Sequence, residues 1–325
     1  MQILGLGDAL VDLLIQLKDD NSLAELGLQK GAMVMIDREK TLKIRSPLSH
    51  LPHKQVAGGS VCNTMRTISH LGGKTAFIGK IGDDALGKIY EESVVNAGVT
   101  SLLSKKEGLS GSSTILVSPD GERTMCTYLG PAPTITPEEI TGDILRPYHY
   151  IYVEGYLLVN QRLVCETMRK AKALGLKVAL DLANFNIVQA YKEVLEEIVP
   201  KYVDVVFCNG SEAKAYTGQA PEEAVRTLAD LVDIALVTVG KDGIWLGSKS
   251  HFELIPASGG KPVDTTGAGD YFAAGFLYGQ SVGASLVDSV RIGSLLSGYV
   301  IEVVGTQISN EKWEQIKLKV KQILA

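Results

Sequence analysis

The sequence predicts an α/β protein: a mainly parallel sheet covered by helices, with a small second β-sheet laid over it. Three observations carry that expectation. From residue 135 onward short apolar runs alternate with amphipathic segments, the pattern of a helix-covered parallel sheet. Between residues 100 and 130 the character changes to β-like stretches joined by a strong turn signal, which suits a separate sheet. The length of 325 residues allows one large domain with an appendage.

Residues 2–7 read as the first strand, running into Gly7-Asp8-Ala9-Leu10-Val11-Asp12. Asp8 and Asp12 thus fall near the carboxyl end of a strand, where open α/β sheets bind ligands. Residues 13–17 and 32–36 read as further strands, with a short helix or loop over 21–28. Residues 41–54 are basic and interrupted by proline, and read as a surface connection. Ala57-Gly58-Gly59-Ser60-Val61-Cys62-Asn63-Thr64 leads into a helix through His70 that Gly72-Gly73 ends. A strand over 75–79 and a helix over 84–97, closed by Gly98, come next.

Residues 113–118 and 123–128 form a hairpin about Pro119-Asp120-Gly121-Glu122. With the strands near 13–17 and 32–36 they make one lid from two distant insertions, 10–47 and 99–131. Residues 1–9, 48–98 and 132–325 make the large domain. Its later strands fall at 150–153, 178–181, 205–208, 234–238 and 243–246, separated by amphipathic segments such as 163–174 and 222–231. Apolar helices follow over 271–279 and 284–302, and Trp313, Ile316, Val320 and Ile323 repeat at helical spacing near the end.

Hydrophobic residues at 45% and charged residues at 21% are those of an ordinary soluble protein. The formal charge of −5 argues against a nucleic-acid partner. Cys62, Cys126, Cys165 and Cys208 form no Cys-x-x-Cys pair, so free thiols in a reducing compartment are expected. The first residues carry Asp8 and Asp12 without a basic leader, and no run of about eighteen uncharged apolar residues occurs. A cytoplasmic protein with no membrane contact is expected.

The stretch that carries chemistry is Asp264-Thr265-Thr266-Gly267-Ala268-Gly269-Asp270, followed by Tyr271-Phe272-Ala273-Ala274-Gly275. Small residues let the backbone approach a ligand, and the apolar run behind them places their N–H groups at a helix N-terminus, where an anion is favoured. Asp270 is an odd choice beside an anion. It makes sense as a base taking the proton of a hydroxyl that attacks phosphorus. The plain alternative is a glycine-rich loop with Asp270 as a first-turn cap.

All twelve residues from Asp264 to Gly275 resemble the second signature of the phosphofructokinase B (ribokinase and adenosine kinase) family of carbohydrate and nucleoside kinases. The resemblance covers nearly the whole chain. It implies a ribokinase-like three-layer α/β/α domain with a small β lid, and transfer of phosphate from ATP with Mg²⁺ to a primary alcohol. By it, Asp270 is the base and the N–H groups of Gly267, Ala268, Gly269 and Asp270 hold the transferring phosphoryl oxygens. Asp12 holds sugar hydroxyls, and Asp8 stands where the family is expected to have Asn. Gly58-Gly59…Asn63 resembles the first signature, where the backbone passes close to the sugar and the Asn amide bonds a hydroxyl. A glycine-rich turn at a helix start is the plain alternative there. Ile78-Gly79-Lys80-Ile81-Gly82-Asp83-Asp84…Gly87 stands at the family's usual place.

Asn209-Gly210-Ser211-Glu212 resembles the family's Asn-x-x-Glu element, in which Glu212 helps hold Mg²⁺ through water. A helix capping box explains the spacing equally well. Val237-Thr238-Val239-Gly240-Lys241-Asp242-Gly243 resembles the nucleotide-side turn, where ATP passes over Thr238, Gly240 and Gly243. Asp264 and Thr266 match positions that help bind a monovalent cation such as K⁺ in many relatives. Arg123, on the lid hairpin, is a candidate to reach transferred phosphate, although exposed hairpin arginines are more often merely solvated.

Competing classes fail on their own terms. Gly73-Lys74-Thr75 ends a phosphate-binding P-loop, but Ile68 sits where its first glycine belongs. Gly5-Leu6-Gly7 begins a dinucleotide fingerprint, and Leu10 occupies its third glycine position. Gly279-Gln280-Ser281-Val282-Gly283 matches a hydrolase elbow, yet no His follows His251. Five His without paired spacing give a zinc site no support.

Within the family, Ser60 stands where ribokinase-like members usually have Lys. No cation follows the paired glycine before Arg66, which disfavours a sugar phosphate. The stretches 7–12 and 123–130 look like adenosine kinase-type members, although Pro131 stands where Ala is common. An adenosine kinase-like enzyme is the first expectation and a ribokinase-type sugar kinase the second. A non-catalytic sugar-binding regulator on the same fold is the third. The chain is expected as a monomer or as a homodimer through the lid.

Overall fold

Fourteen strands fall into two sheets in the computed structural model, which describes residues 1–325. They are β1 (Gln2–Leu6), β2 (Leu10–Gln16), β3 (Met33–Met35), β4 (His53–Ala57), β5 (Lys74–Gly82), β6 (Thr100–Lys106) and β7 (Gly111–Val117). The chain continues with β8 (Arg123–Tyr128), β9 (Tyr150–Glu154), β10 (Lys177–Asp181), β11 (Val205–Asn209), β12 (Ile234–Thr238), β13 (Ile244–Ser248) and β14 (His251–Ile255). The large sheet runs β14-β13-β12-β11-β10-β9-β1-β5-β6, and the small one β3-β8-β7-β2-β4.

In the large sheet every pairing from β12 across to β6 is parallel, and only β12–β13 and β13–β14 are antiparallel. The strand order reverses at β1. From there β5 and β6 extend to one side and β9 to β12 to the other. Ligands of open α/β sheets bind at such a switch point, outside the carboxyl ends of the strands.

Alternating side chains of these strands feed two cores, one on each face. Leu4, Leu6, Val153 and Leu180 pack in a cluster of 35 buried residues under the helices Gln161–Ala173 and Pro221–Leu231. Ile3, Phe77, Tyr152 and Ala179 enter a cluster of 29 with the helices Ser60–His70 and Ala268–Val282. Phe207 on β11 sets the height of the second helix by meeting Phe272 and Phe276 edge-on, at 6.2 and 5.6 Å between ring centroids. Behind it Gly275 lies so close to Gly293 that an added Cβ would stand 2.6 Å from that residue's Cα. Two helices that would otherwise be held apart by side chains therefore pack backbone to backbone.

Several local expectations need correction. β6 was expected in the lid, yet it pairs with β5 as the edge of the large sheet, its polar residues facing water. Conversely β4, expected within the large domain, pairs with β2 in the small sheet. Residues 38–48 form a helix instead of a loop. Asp37 caps it through Lys40 N–H at 2.7 Å, Thr41, Ile44 and Leu48 bury one face, and Pro47 sits in the last turn, where the helix forgoes one bond to the carbonyl four residues back and ends a residue later. The edge strand β14 and the helices Phe185–Ala190 and Lys192–Tyr202 lie where no element was singled out.

The 118–122 hairpin forms as expected, with Gly121 at φ +88° and its N–H bonded to Ser118 O. The hydrolase-like pentapeptide is a helix end: Ser281 Oγ donates to Tyr278 O and Gly283 terminates the helix in the left-handed region. All four cysteines are free. No helix is long and apolar enough to cross a membrane.

Candidate active site

Four chain segments meet over the carboxyl edge of the large sheet. β1 delivers Asp8, the small sheet delivers Asp12 and Arg123, and the helix Ser60–His70 begins there behind Gly58 and Gly59. The helix Ala268–Val282 begins there as well, with Asp270 in its first turn. Gly59 holds φ +87°, and a Cβ there would lie 2.5 Å from Asp8 O, so the residue must be glycine. Gly58 leaves room for the Asp12 carboxylate, whose Oδ2 would lie 2.5 Å from an added Cβ.

The Asp264–Asp270 turn has the geometry of an anion cradle. Gly267, at φ +80°, starts the helix with no side-chain cap. The N–H groups of Gly267, Gly269 and Asp270 bond no acceptor within the protein. Ala268 departs from expectation, because its N–H is spent on Thr265 O at 3.2 Å, inside the turn. Three donors thus point out of a helix N-terminus, where the dipole favours negative charge.

Asp270 itself is half-buried, and each of its carboxyl oxygens accepts one hydrogen bond. Ser60 Oγ donates to its Oδ1 at 2.7 Å and Asn63 Nδ2 to its Oδ2 at 2.9 Å. Burial pushes the carboxyl above its ordinary range, and these two donors pull it back. Asn63, expected on an acceptor hydroxyl, donates to Asp270 in this structure. Ser60 was noted only as a substitution for Lys, and its role in the site escaped sequence reasoning.

The site is crowded with carboxyls. Asp12 is pushed up to about 7 by burial and by Asp270, with Arg123 opposing. Asp8 is pushed up to about 7 by burial, and its Oδ1 has no partner. Glu154, at the end of β9, is raised by burial and by Asp8 while it accepts the N–H groups of Asp8 at 2.7 Å and Val61 at 3.2 Å. Asp181, at the end of β10, is pushed up to about 7 by burial and Glu212, and accepts Tyr152 OH. Glu154 and Asp181 repeat the signal that marked Asp8, an acid directly at a strand's carboxyl end, and could have been found by it.

Arg123 crosses from the lid to the cradle. Its Nη2 lies 3.0 Å from Asp264 Oδ2 and its Nη1 bonds Thr266 Oγ1 at 3.3 Å. Asp264 also accepts Gly305 N–H at 2.7 Å, and the Thr266 N–H at 3.1 Å and hydroxyl at 2.7 Å. Against the upward push of burial, these bonds and Arg123 hold its carboxyl below the ordinary value. Both oxygens are spoken for and the positive charge beside them is a guanidinium. The resemblance put Asp264 and Thr266 at a monovalent-cation site and Arg123 on phosphate; in this structure Arg123 pairs with Asp264 and Thr266.

On the far side of the turn a cleft of about 400 Å³ opens. Thr238, Gly240 and Gly243 form one wall, and Ala268, Gly269 and Phe272 another. Gly243, at φ +125°, lies so close to Ile255 O that no side chain fits. The three residues expected on the nucleotide side thus share one cavity with the cradle.

Asn209 and Glu212 lie apart from that cavity, in the capping box that the spacing also allowed. Asn209 Oδ1 accepts Ser211 and Glu212 N–H at 2.9 and 3.0 Å, and Glu212 accepts Asn209 N–H at 2.8 Å. Glu212 is raised by burial against those bonds. No group of three His, Cys, Asp or Glu could cage a metal. A carboxylate keeps free lone pairs beside such bonds, so Glu212 fits a hydrated Mg²⁺ reached through water.

Comparison with known proteins finds kinases of the same fold. The model of the pfkB family carbohydrate kinases matches residues 37–313. The adenosine kinase of Saccharomyces cerevisiae is 26% identical over 313 residues, covering 89% of this chain and 92% of its own. An uncharacterised sugar kinase of Archaeoglobus fulgidus is 29% identical over 246 residues, covering 74% of this chain and 96% of its own. Among solved structures, the adenosine kinase of Sinorhizobium meliloti superposes with a TM-score of 0.86 at 32% identity, covering 99% of this chain and 98% of that one.

Proposed function

The chain belongs to the pfkB family of carbohydrate kinases, and from that premise we propose that it transfers the γ-phosphoryl group of ATP to the primary hydroxymethyl group of a nucleoside, adenosine before others. The observation that supports this best is one helical turn that carries both a half-buried carboxylate and unpaired N–H donors. An anion site alone needs no base, and a base alone needs no cradle. Together they suit an alcohol attacking phosphorus.

In this reading Asp270 takes the proton of the acceptor hydroxyl. The new O–P bond forms as the bond from phosphorus to the β,γ-bridging oxygen breaks, and ADP leaves with that oxygen. The N–H groups of Gly267, Gly269 and Asp270 hold the equatorial oxygens of the moving phosphoryl group. One such donor is commonly worth about 3 kcal/mol of barrier. Asp12 accepts two hydroxyls of the ribose, which suits a vicinal diol. Mg²⁺, when bound with ATP near Glu212, would neutralise phosphate charge. The lid, joined to the cradle by Arg123, excludes water that would otherwise hydrolyse ATP.

A nucleoside is favoured over a sugar phosphate by the charges near the paired glycine. Ser60 is neutral and engaged with Asp270, and Arg66 turns its Nη1 to Ala57 O at 2.9 Å. Ser60 thus supplies no charge for a second phosphate. The adenosine kinases among the similar proteins point the same way.

The test is phosphate transfer from ATP with Mg²⁺ to adenosine, inosine, ribose, fructose and fructose 6-phosphate, with Asp270→Asn beside the wild type. Adenosine should turn over fastest, and the variant should lose about 10²-fold or more. Preference for ribose or fructose would move the assignment to a sugar kinase. Undiminished turnover in the variant would remove Asp270 as base, and binding without turnover would favour a regulator.

A further inference from the structure

A second cavity, of about 230 Å³, lies between the helices Ser60–His70 and Ala268–Val282 and the last helix, Asn310–Leu324. Arg66, His70, Tyr271, Gln307 and Trp313 stand in its wall, and no Asp or Glu does. Of the residues placed in the active site above, only Asn63 borders it.

Arg66 is the group that this cavity leaves unsatisfied. Its Nη1 donates to Ala57 O at 2.9 Å, which fixes the plane of the guanidinium. Its Nε is buried without a partner, and its Nη2 bonds no acceptor within the protein. Arg123, Arg146, Arg162, Arg169, Arg226 and Arg291 each hold a carboxylate, and Arg66 holds none. A buried donor without an acceptor is costly, the more so on a charged group. The Nε–H and Nη2–H groups lie side by side along one edge of the guanidinium, at the spacing of the two oxygens of a carboxylate.

The rest of the wall has the same sign. The backbone N–H groups of Gln307 and Ile308 bond no acceptor within the protein. Burial, Arg66 and Lys317 together push the His70 imidazole below its ordinary value. The wall also has an aromatic side. His70 stacks on Trp313 with 4.7 Å between ring centroids, and Tyr271 stacks on the same indole at 6.1 Å. An inorganic anion would use the fork and leave these rings without contact.

We propose that this cavity binds a small organic carboxylate, gripped by Arg66 Nε and Nη2, with its carbon body against the rings of His70, Tyr271 and Trp313. The site is separate from the phosphotransfer chemistry and does not depend on it. Asn63 is the link between the two, because it borders the cavity while its Nδ2 holds Asp270 Oδ2.

Benzoate is the probe, beside benzamide, which has the same shape without the charge, and inorganic phosphate. Trp245→Phe leaves Trp313 as the only tryptophan, so its emission reports from the cavity wall. With adenosine and ADP saturating, benzoate should change that emission saturably and raise Tm. Benzamide should do neither at the same concentration, and phosphate should bind about tenfold more weakly than benzoate. Arg66→Lys keeps the charge without the fork and should weaken benzoate about tenfold, with a further loss in Arg66→Gln. In the protein with Arg66 intact, the Arg66 Nε–H resonance should move with the same midpoint, a readout that does not depend on either variant folding. Equal binding of benzamide would remove the charge from the recognition, and unchanged affinity in Arg66→Gln would remove the arginine. Displacement of benzoate by adenosine would put the ligand in the acceptor site. Phosphate binding more tightly than benzoate would make this an inorganic-anion site. Each of these results overturns the proposal, and so does silence from all three probes.

Discussion

Substituting Gly58 by Ala tests whether Asp12 is the acceptor's anchor, because the three atoms nearest the added methyl all belong to that side chain. Its Cβ would lie 2.5 Å from Asp12 Oδ2, 2.9 Å from Cγ and 3.1 Å from Oδ1, and Gly58 is not among the positive-φ glycines, so no backbone strain enters. Ordinary contact begins near 3.4 Å. The carboxylate must therefore retreat by about 1 Å, a misplacement that costs on the order of 10²-fold in a positioned reaction. Steady-state kinetics with adenosine varied at saturating ATP should show kcat/KM down by that factor. With ATP varied at saturating adenosine, KM for ATP should hold. The decisive comparison is a cycle with Asp12→Ala. If the methyl acts only through the carboxylate, Gly58→Ala should cost almost nothing once the carboxylate is gone. An equal cost in both backgrounds would show that Gly58 matters for another reason. Activity within about twofold of wild type would show that Asp12 can move without consequence, and that it does not hold the acceptor.

Two further outcomes follow from the same contacts. Asp8 is pushed up to about 7 by burial with one oxygen unpartnered, so its contribution to stability is fully present below its ordinary value of 3.8 and lost as pH rises through about 7. Asp8→Asn should raise Tm by more at pH 8 than at pH 5, and a gain that does not depend on pH would show that the carboxyl is not the source. Gly275→Ala should cost about 1–3 kcal/mol in a urea titration, since its Cβ would stand 2.6 Å from Gly293 backbone atoms that cannot rotate away; an unchanged midpoint would mean that the two helices separate freely.

The elements most legible in the sequence were those whose signal is local and strong. β9, β10, β11 and β12 are short apolar runs buried on both sides, and periodic apolar faces marked the helices over 161–173, 221–231 and 310–324. The strands that escaped are edge strands. β6 carries the pattern Thr-Ser-Leu-Leu-Ser-Lys-Lys with little of it buried, and β4 begins His-Lys-Gln, so neither shows the apolar run that a central strand must have. The helix Arg38–Leu48 was hidden by its basic face and by Pro47, although Asp37 and the spacing of Thr41, Ile44 and Leu48 carried its signature. Among site residues, the acid-after-strand pattern that marked Asp8 was present again at Glu154 and Asp181.

What the sequence determined by itself was the chemistry available: a glycine-rich helix start able to bind an anion, an acid on that turn, and acids at strand ends along one edge of a parallel sheet. Those properties belong to a few consecutive residues, and short-range geometry dictates them. Tertiary structure alone decided the partners. Ser60 and Asn63 lie 210 and 207 residues from Asp270 in the chain, and Arg123 lies 141 from Asp264. Whether an amide faces a substrate or a carboxylate, and whether an acid pairs with a metal ion or an arginine, depends on contacts a few ångströms long. Those contacts exist only once the two sheets and the helices between them have closed on one another.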